Sequence, residues 1–174
     1  LYLKGQSHEK LGEAEEARRA YGQLGEGGAP AWPSIAQSAM ELSRNQRKEA
    51  LVSANRAASQ NPALPEAHYQ LGLALGFNDD FAKAASAFDR AAELDPQWAY
   101  ARYYAGLSYY KAKRIDLMAE RFEAFLKLAP NAPERPEVES IGGGRREARK
   151  EDHVVEADET APTDPETPAF RVDV

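Results

Sequence analysis

The chain has 174 residues, of which 43 % are hydrophobic and 29 % charged, an ordinary balance for a soluble domain. No apolar run in the sequence approaches the roughly 18 residues that a membrane-spanning helix needs, which excludes such a segment. There is no cysteine. Disulfides and thiolate metal sites are therefore excluded, and the sequence gives no indication of the redox compartment.

The formal charge is distributed unevenly along the chain. Residues 1–130 hold 16 Lys or Arg and 16 Asp or Glu, whereas residues 131–174 hold 6 and 12. The last part of the chain therefore carries the whole net charge of −6. Because proteins bind nucleic acid through basic surfaces, a neutral body with an acidic tail predicts no nucleic-acid partner.

The sequence repeats itself with a period of 34 residues. Pro62, Pro96 and Pro130 follow one another at that interval, and two copies of one pattern run between them. A period of this length, built of two helices and a turn, is typical of a solenoid in which each repeat buries its apolar face only against its neighbours. Such an architecture favours a binding function over a catalytic one.

The residues at fixed places in each period resemble the tetratricopeptide repeat (TPR) family, in a bacterial type of protein. Counting Pro65 as position 1, the motif places of unit 65–98 hold Leu71, Gly72, Phe81, Ala84, Phe88, Ala91 and Pro96. In unit 99–132 the same places hold Ala105, Gly106, Ile115, Met118, Phe122, Phe125 and Pro130. The resemblance implies an all-α fold, a right-handed α-solenoid of TPR helix-turn-helix repeats with a disordered acidic C-terminal tail.

The array is expected to span residues 1–132, with a partial unit at 1–30 and full units at 31–64, 65–98 and 99–132. The partial unit supplies Gly5 and Tyr21, with a slip of one residue in the loop before unit 31–64.

Each motif position has a physical role. Small residues at positions 8 and 20 allow the two helices of a unit to approach closely, and the aromatic residue at position 24 fills the gap to the next repeat. Proline at position 32 ends the second helix. Unit 31–64 departs from this pattern, with Gln37 and Arg47 at places that are usually bulky and apolar. Met118 stands where a small residue is usual, which predicts a splayed last helix pair.

Beyond the repeats we expect a short capping helix at 133–141 and a disordered linker at 142–168. Residues 169–174 alternate apolar and polar, which is strand periodicity and indicates the start of a truncated β domain. This segment looks like the opening of a von Willebrand factor A-related domain, and the alternative is a frayed terminus. With a sequence that opens inside a predicted helix and without Met, the chain is interpreted as a fragment of a longer protein.

The sequence offers no constellation of catalytic or metal-binding residues. Its three histidines, His8, His68 and His153, lie in different units and in the tail, and none has a second metal ligand at helical spacing. The glycine-rich stretches do not follow strands, which argues against phosphate loops. We therefore predict that this segment is not an enzyme and holds no cofactor or metal.

The resemblance implies that the first helix of each repeat lines a concave groove, at positions 2, 5, 9, 12 and 13. The predicted partner-binding residues on that face are Trp32, Ile35, Tyr69, Leu73, Phe77, Tyr100, Tyr103, Leu107, Tyr110 and Lys111. Independently of the family, the spacing 3, 4, 3 places the aromatic and leucine residues of 100–110 on one helical stripe. The alternative is that these tyrosines pack against residues 134–141, the next repeat or a missing domain.

The predicted function is a scaffold that binds a protein or peptide on the concave face. The alternative is a spacer or oligomerisation arm of a larger enzyme or adhesion protein, and a third interpretation is self-association through the open ends of the array. Some TPR domains bind chaperone C-terminal carboxylates through Lys, Asn and Arg at positions 2 and 6. Those places hold Trp32, Ala36, Glu66, Gln70, Tyr100 and Tyr104, which disfavours that class of partner.

Overall fold

The computed structural model describes residues 2–10, 13–26 and 30–142, and this part of the chain is helical with short turns. The prediction of an all-α fold is confirmed. Up to residue 128 the described chain forms eight helices: α1 (Tyr2–Lys10), α2 (Ala14–Glu26), α3 (Ala31–Ser43), α4 (Arg47–Gln60), α5 (Pro65–Phe77), α6 (Phe81–Leu94), α7 (Ala99–Lys111) and α8 (Ile115–Leu128). None of the described helices is long and apolar enough to span a bilayer.

Consecutive helices pair, α1 with α2, α3 with α4, α5 with α6 and α7 with α8, and each pair packs on the next. This is the arrangement that stacked helix-turn-helix repeats require. One compact unit extends to Arg135 and a second begins at Pro136. Residues 135–142 are helical, and the predicted capping helix at 133–141 overlaps them. Beyond residue 142, the predicted linker and β segment lie outside the described residues.

In three of the four units an aromatic ring lies directly on a glycine. A Cβ atom added to Gly72 would lie 2.7 Å from the Phe88 ring, and one added to Gly106 would lie 2.6 Å from the Phe122 ring. Tyr21 lies against Gly5 in the same way. Position 8 therefore has to be a glycine wherever position 24 is aromatic, because a larger residue would push the second helix away.

Unit 31–64 replaces this contact with a hydrogen bond. Ser38 takes the place of the glycine, and its hydroxyl donates to the Ala50 carbonyl at 2.9 Å. The smaller Ala54 takes the place of the aromatic residue and is buried.

The predicted splaying of the last helix pair is wrong. Met118 is buried, and Gly106 approaches Phe122 as closely as Gly72 approaches Phe88. The unbranched methionine side chain adapts to the space that a small residue would leave.

The turns inside the units also repeat with the 34-residue period. Asn45, Asp79 and Lys113 all have positive φ, at 57°, 62° and 60°. Beside each of them, a backbone N–H reaches back to the carbonyl five residues earlier, as Asp80 does to Leu75 at 3.0 Å. These are helix C-terminal motifs that close the last turn of α3, α5 and α7.

The glycine at position 8 can be tested with a matched pair of alanine substitutions. Gly72→Ala is expected to lower the free energy of unfolding by about 1–3 kcal/mol, because the new methyl group overlaps the Phe88 ring. Gly22→Ala in α2 meets no atom within 4 Å and is expected to raise it by up to about 1 kcal/mol. Urea unfolding followed by circular dichroism measures both, and equal effects would contradict the packing argument.

A second stability prediction concerns the one lysine among the three positive-φ turn residues. Lys113→Asn is expected to raise the free energy of unfolding by about 0.5–1 kcal/mol, because asparagine tolerates the left-handed conformation better than lysine. The same exchange at Lys127, in the last turn of α8, should give no gain, since asparagine is the weaker helix former. Thermal unfolding of the two variants and the wild type measures both effects, and an equal change in stability in the two variants would contradict the prediction.

Candidate functional site

The first helices of the four units place one row of equivalent residues together. Tyr2, Ile35, Tyr69 and Tyr103 occupy position 5 of successive units, in α1, α3, α5 and α7. All four are buried, with 3 %, 0 %, 3 % and 6 % of their surface exposed. Three of the four are aromatic, so this row forms an aromatic floor under the predicted groove.

The rings of this floor contact one another from the first unit to the last. The Tyr2 ring centroid lies 6.4 Å from that of Tyr69, edge to face, and the Tyr69 and Tyr104 centroids are 5.8 Å apart. Tyr104 lies 5.2 Å from Tyr103, which in turn lies 5.2 Å from Phe125. Because Tyr2 belongs to the first unit and Tyr69 to the third, the contact between them skips a repeat. A solenoid with contacts only between neighbours would not have it.

A chain of hydrogen bonds runs beside the aromatic floor. The Tyr2 hydroxyl donates to Gln70 Oε1 at 2.9 Å, and Gln70 Nε2 donates to the Ser38 hydroxyl at 3.0 Å. Gln70 is 1 % exposed, so its amide depends on these partners. Gln70 and Tyr2 were not among the predicted site residues. The signal in the sequence was a glutamine in a stretch that is otherwise apolar, next to a position-5 tyrosine.

The predicted partner-binding residues divide by their exposure. Ile35, Tyr69 and Tyr103 belong to the buried floor. Phe77 and Tyr110 are 48 % and 44 % exposed, at the C-terminal ends of α5 and α7. The remaining predicted residues are half-buried or exposed: Trp32, Leu73, Tyr100 and Leu107 in the first group, Lys111 in the second.

We call Leu73, Phe77, Leu107, Tyr110 and Lys111 the rim. Leu73 lies four residues before Phe77, and Leu107 lies three before Tyr110, so each helix presents a two-residue apolar stripe. At the five groove positions of α3, α5 and α7, the only charged residues are Glu66 and Lys111. The face is therefore apolar and close to neutral.

Tyr100 lies at the edge of the floor. Its hydroxyl donates to Glu134 Oε2 at 3.0 Å, and its ring lies 6.1 Å from Tyr103 and 5.8 Å from Phe125. Burial, followed by the hydrogen bond to Glu134, raises the pKa of Tyr100 above its ordinary value. Of the predicted tyrosines, this one therefore packs partly against the segment that follows α8.

Tyr109 lies outside this face, as its place in the helix predicts. Its hydroxyl donates to Asp89 Oδ2 at 2.7 Å, and the Arg121 guanidinium donates to both oxygens of the same carboxylate, at 2.6 and 3.1 Å. Burial and the bond to Asp89 raise the pKa of Tyr109 to about 12. This cluster joins α6, α7 and α8.

No three His, Asp or Glu side chains come together as a metal site anywhere in the described ranges.

Comparison with known proteins gives the same repeat structure. A sequence model described as tetratricopeptide repeat matches residues 65–98, and a second with the same description matches residues 1–26 and 100–132. The second unit, 31–64, lies between the matched segments.

Solved structures show the same fold at low sequence identity. The TPR domain of Sgt2 from Aspergillus fumigatus has a TM-score of 0.65 and 19 % identity, over 84 % of this chain and 90 % of that one. The first TPR of Spaghetti (RPAP3), bound to the HSP90 peptide SRMEEVD, has a TM-score of 0.63 and 19 % identity, over 67 % and 93 %. YrrB, a TPR protein with an unusual peptide-binding site, has a TM-score of 0.58 and 22 % identity, over 82 % and 71 %. The prediction of a TPR array is confirmed.

The buried floor predicts how stability depends on pH. Burial first, and then the neighbouring Tyr104, raise the pKa of Tyr69 well above the ordinary 10.0, whereas a hydrogen bond from Gln6 acts in the opposite direction. Above pH 10.0 the unfolded chain loses this proton before the folded chain does, so stability present below that pH falls as the pH rises. The free energy of unfolding, measured from about pH 8 to about pH 11, is expected to fall less steeply in Tyr69→Phe. Parallel curves for the two proteins would contradict this.

Proposed function

Because the chain belongs to the tetratricopeptide repeat family, we propose that its array binds an apolar segment of a partner protein at the rim on the concave face. The observation that carries the proposal is the exposure of Phe77 and Tyr110, two large side chains at the C-terminal ends of α5 and α7. Partly exposed aromatic residues beside a packed apolar floor are typical of the anchor points of protein interfaces.

The composition of the rim indicates the chemistry of the partner. Its two leucines and two aromatic residues can bury apolar side chains, and Lys111 adds a single positive charge at the edge. A short amphipathic helix or an extended apolar peptide fits such a surface. Tyrosine and phenylalanine supply large contact areas at a low cost in side-chain entropy.

Peptide binding by related folds supports the proposal, but the charge pattern differs. The first TPR of Spaghetti binds an HSP90 peptide that ends in the acidic sequence EEVD. Positions 2 and 6 of this chain carry Trp32, Ala36, Glu66, Gln70, Tyr100 and Tyr104, which include no positive charge. A peptide with an acidic C-terminus would therefore lack its counter-charges here, and an apolar peptide would not need them.

Peptide selection on the intact chain tests the proposal with probes of known sequence. Peptides selected from a random phage library are expected to be apolar and aromatic, and to bind Phe77→Ala/Tyr110→Ala at least about tenfold more weakly. A matched control, Val52→Ala/Leu128→Ala, removes two other exposed apolar side chains that lie on α4 and α8. It should leave the affinity unchanged, and the peptide SRMEEVD should show no binding.

Two outcomes would contradict a binding rim. Either the selection yields no peptide that binds, or the selected peptides bind the rim variant as well as the wild type. The repeats would then be better explained as a spacer or oligomerisation arm of a larger enzyme or adhesion protein of the von Willebrand factor A-like kind. The residues 169–174 that suggested such a protein lie outside the described part of the chain.

A further inference from the structure

We propose that the slot holding the Tyr2 side chain is a tyrosine-binding subsite of the concave face. In this state the chain's own helix α1 fills it, and a tyrosine of a partner segment exchanges with Tyr2. This inference deepens the proposed function and rests on it. It names one residue that the partner carries, and it gives α1 the role of an internal competitor.

The walls of the slot are aromatic. The Tyr2 ring centroid lies 6.4 Å from Tyr21, 6.5 Å from Trp32 and 6.4 Å from Tyr69. These three residues come from α2, α3 and α5, so the slot draws on three of the four units. The contact with Tyr69 is edge to face and the other two are tilted, and such contacts on several sides suit a planar ring.

The closed end of the slot recognises a hydroxyl group. The Ser38 hydroxyl donates its proton to the Ala50 carbonyl, so its oxygen is left to accept from the Gln70 amide nitrogen. This arrangement turns Gln70 Oε1 toward the slot, where it accepts from the Tyr2 hydroxyl at 2.9 Å. A phenylalanine in the same slot would leave that buried acceptor without a partner, which is unfavourable. The slot therefore distinguishes tyrosine from phenylalanine.

Helix α1 is suited to leave the slot. It packs along α2, and Tyr2 extends its side chain across to α5. Six of the nine residues of α1 are polar or charged, and Gly5 lowers the intrinsic helix stability. Helices of low intrinsic stability open at a low free-energy cost. Exchange with a partner tyrosine thus requires only that this part of the array open.

The test uses the full chain, the variant Tyr2→Ala and the tyrosine side-chain analogue p-cresol. The p-cresol is expected to raise the melting temperature of Tyr2→Ala and to bind it about fivefold more tightly than toluene, which lacks the hydroxyl. Tyr2→Phe keeps the slot filled and should show no shift at the same concentration. In Tyr2→Ala/Gln70→Leu the preference for p-cresol over toluene should disappear.

Equal affinities of Tyr2→Ala for p-cresol and toluene would overturn the proposal, as would an equal p-cresol shift in Tyr2→Phe. If Tyr2→Ala does not fold, hydrogen exchange of the wild-type chain decides. Saturating p-cresol should speed the exchange of α1 amides and leave those of α6 unchanged, and no change in α1 would refute the exchange. Loss of peptide binding on the rim variant together with no phenol binding would leave the proposed function intact and remove only the slot. Phenol binding without any peptide binding would support the slot and contradict the proposed function.

Discussion

The contact between an aromatic ring and a glycine determines how closely the two helices of each repeat approach, and the rest of the array depends on it. The Phe88 ring approaches Gly72 as closely as the Phe122 ring approaches Gly106, so these two helix pairs are packed in the same way. The second unit lacks such a ring and keeps its pair together through Ser38 and the Ala50 carbonyl. Its serine also accepts from Gln70, so the unit with the weakest motif is tied to its neighbour by a polar link. A closely packed interior can contain either the contact of a ring with a glycine or the hydrogen bond of a serine. In both cases no volume is left empty and no buried polar group is left unpaired.

Close pairing of the helices has a direct consequence for the concave face. Of the residues at position 5, Tyr2 and Tyr69 are in ring contact although they belong to the first and third units, and Tyr104 joins Tyr69 to Tyr103. The predicted groove is therefore filled at its floor, and the exposed aromatic side chains of this face are Phe77 and Tyr110 at the ends of α5 and α7. This explains why Ile35, Tyr69 and Tyr103, which are predicted groove residues, support the face from below instead of lying open on it.

The sequence predicted the helices, their pairing and the close approach at the glycines. It could do so because the same types of residue recur at the same positions every 34 residues. The periodic turn residues follow from the same logic, although only Asn45 and Asp79 belong to residue types that favour positive φ. The period could not predict the contact between Tyr2 and Tyr69. A repeat pattern describes contacts between neighbouring units, whereas this one depends on how the whole array curves. Met118 could not be interpreted from the motif either. The motif has a small residue at this position, whereas the flexible Met118 side chain is buried there without separating the helices. The rim residues remain a prediction, supported by their exposure.

The positions of the charged residues affect how a partner could be recognised. The ionic cluster of Asp89, Arg121 and Tyr109 joins α6, α7 and α8, and it acts on the stability of the array. On the concave face the few charges leave little field to steer a partner, so association would proceed at the ordinary rate of uncharged surfaces and depend weakly on salt. Specificity must then come from shape and from single buried hydrogen bonds. Gln70 is a buried polar group whose side-chain oxygen accepts from the Tyr2 hydroxyl. A neutral face can thus discriminate between a tyrosine and a phenylalanine by one hydroxyl group, because phenylalanine would leave a buried acceptor unpaired.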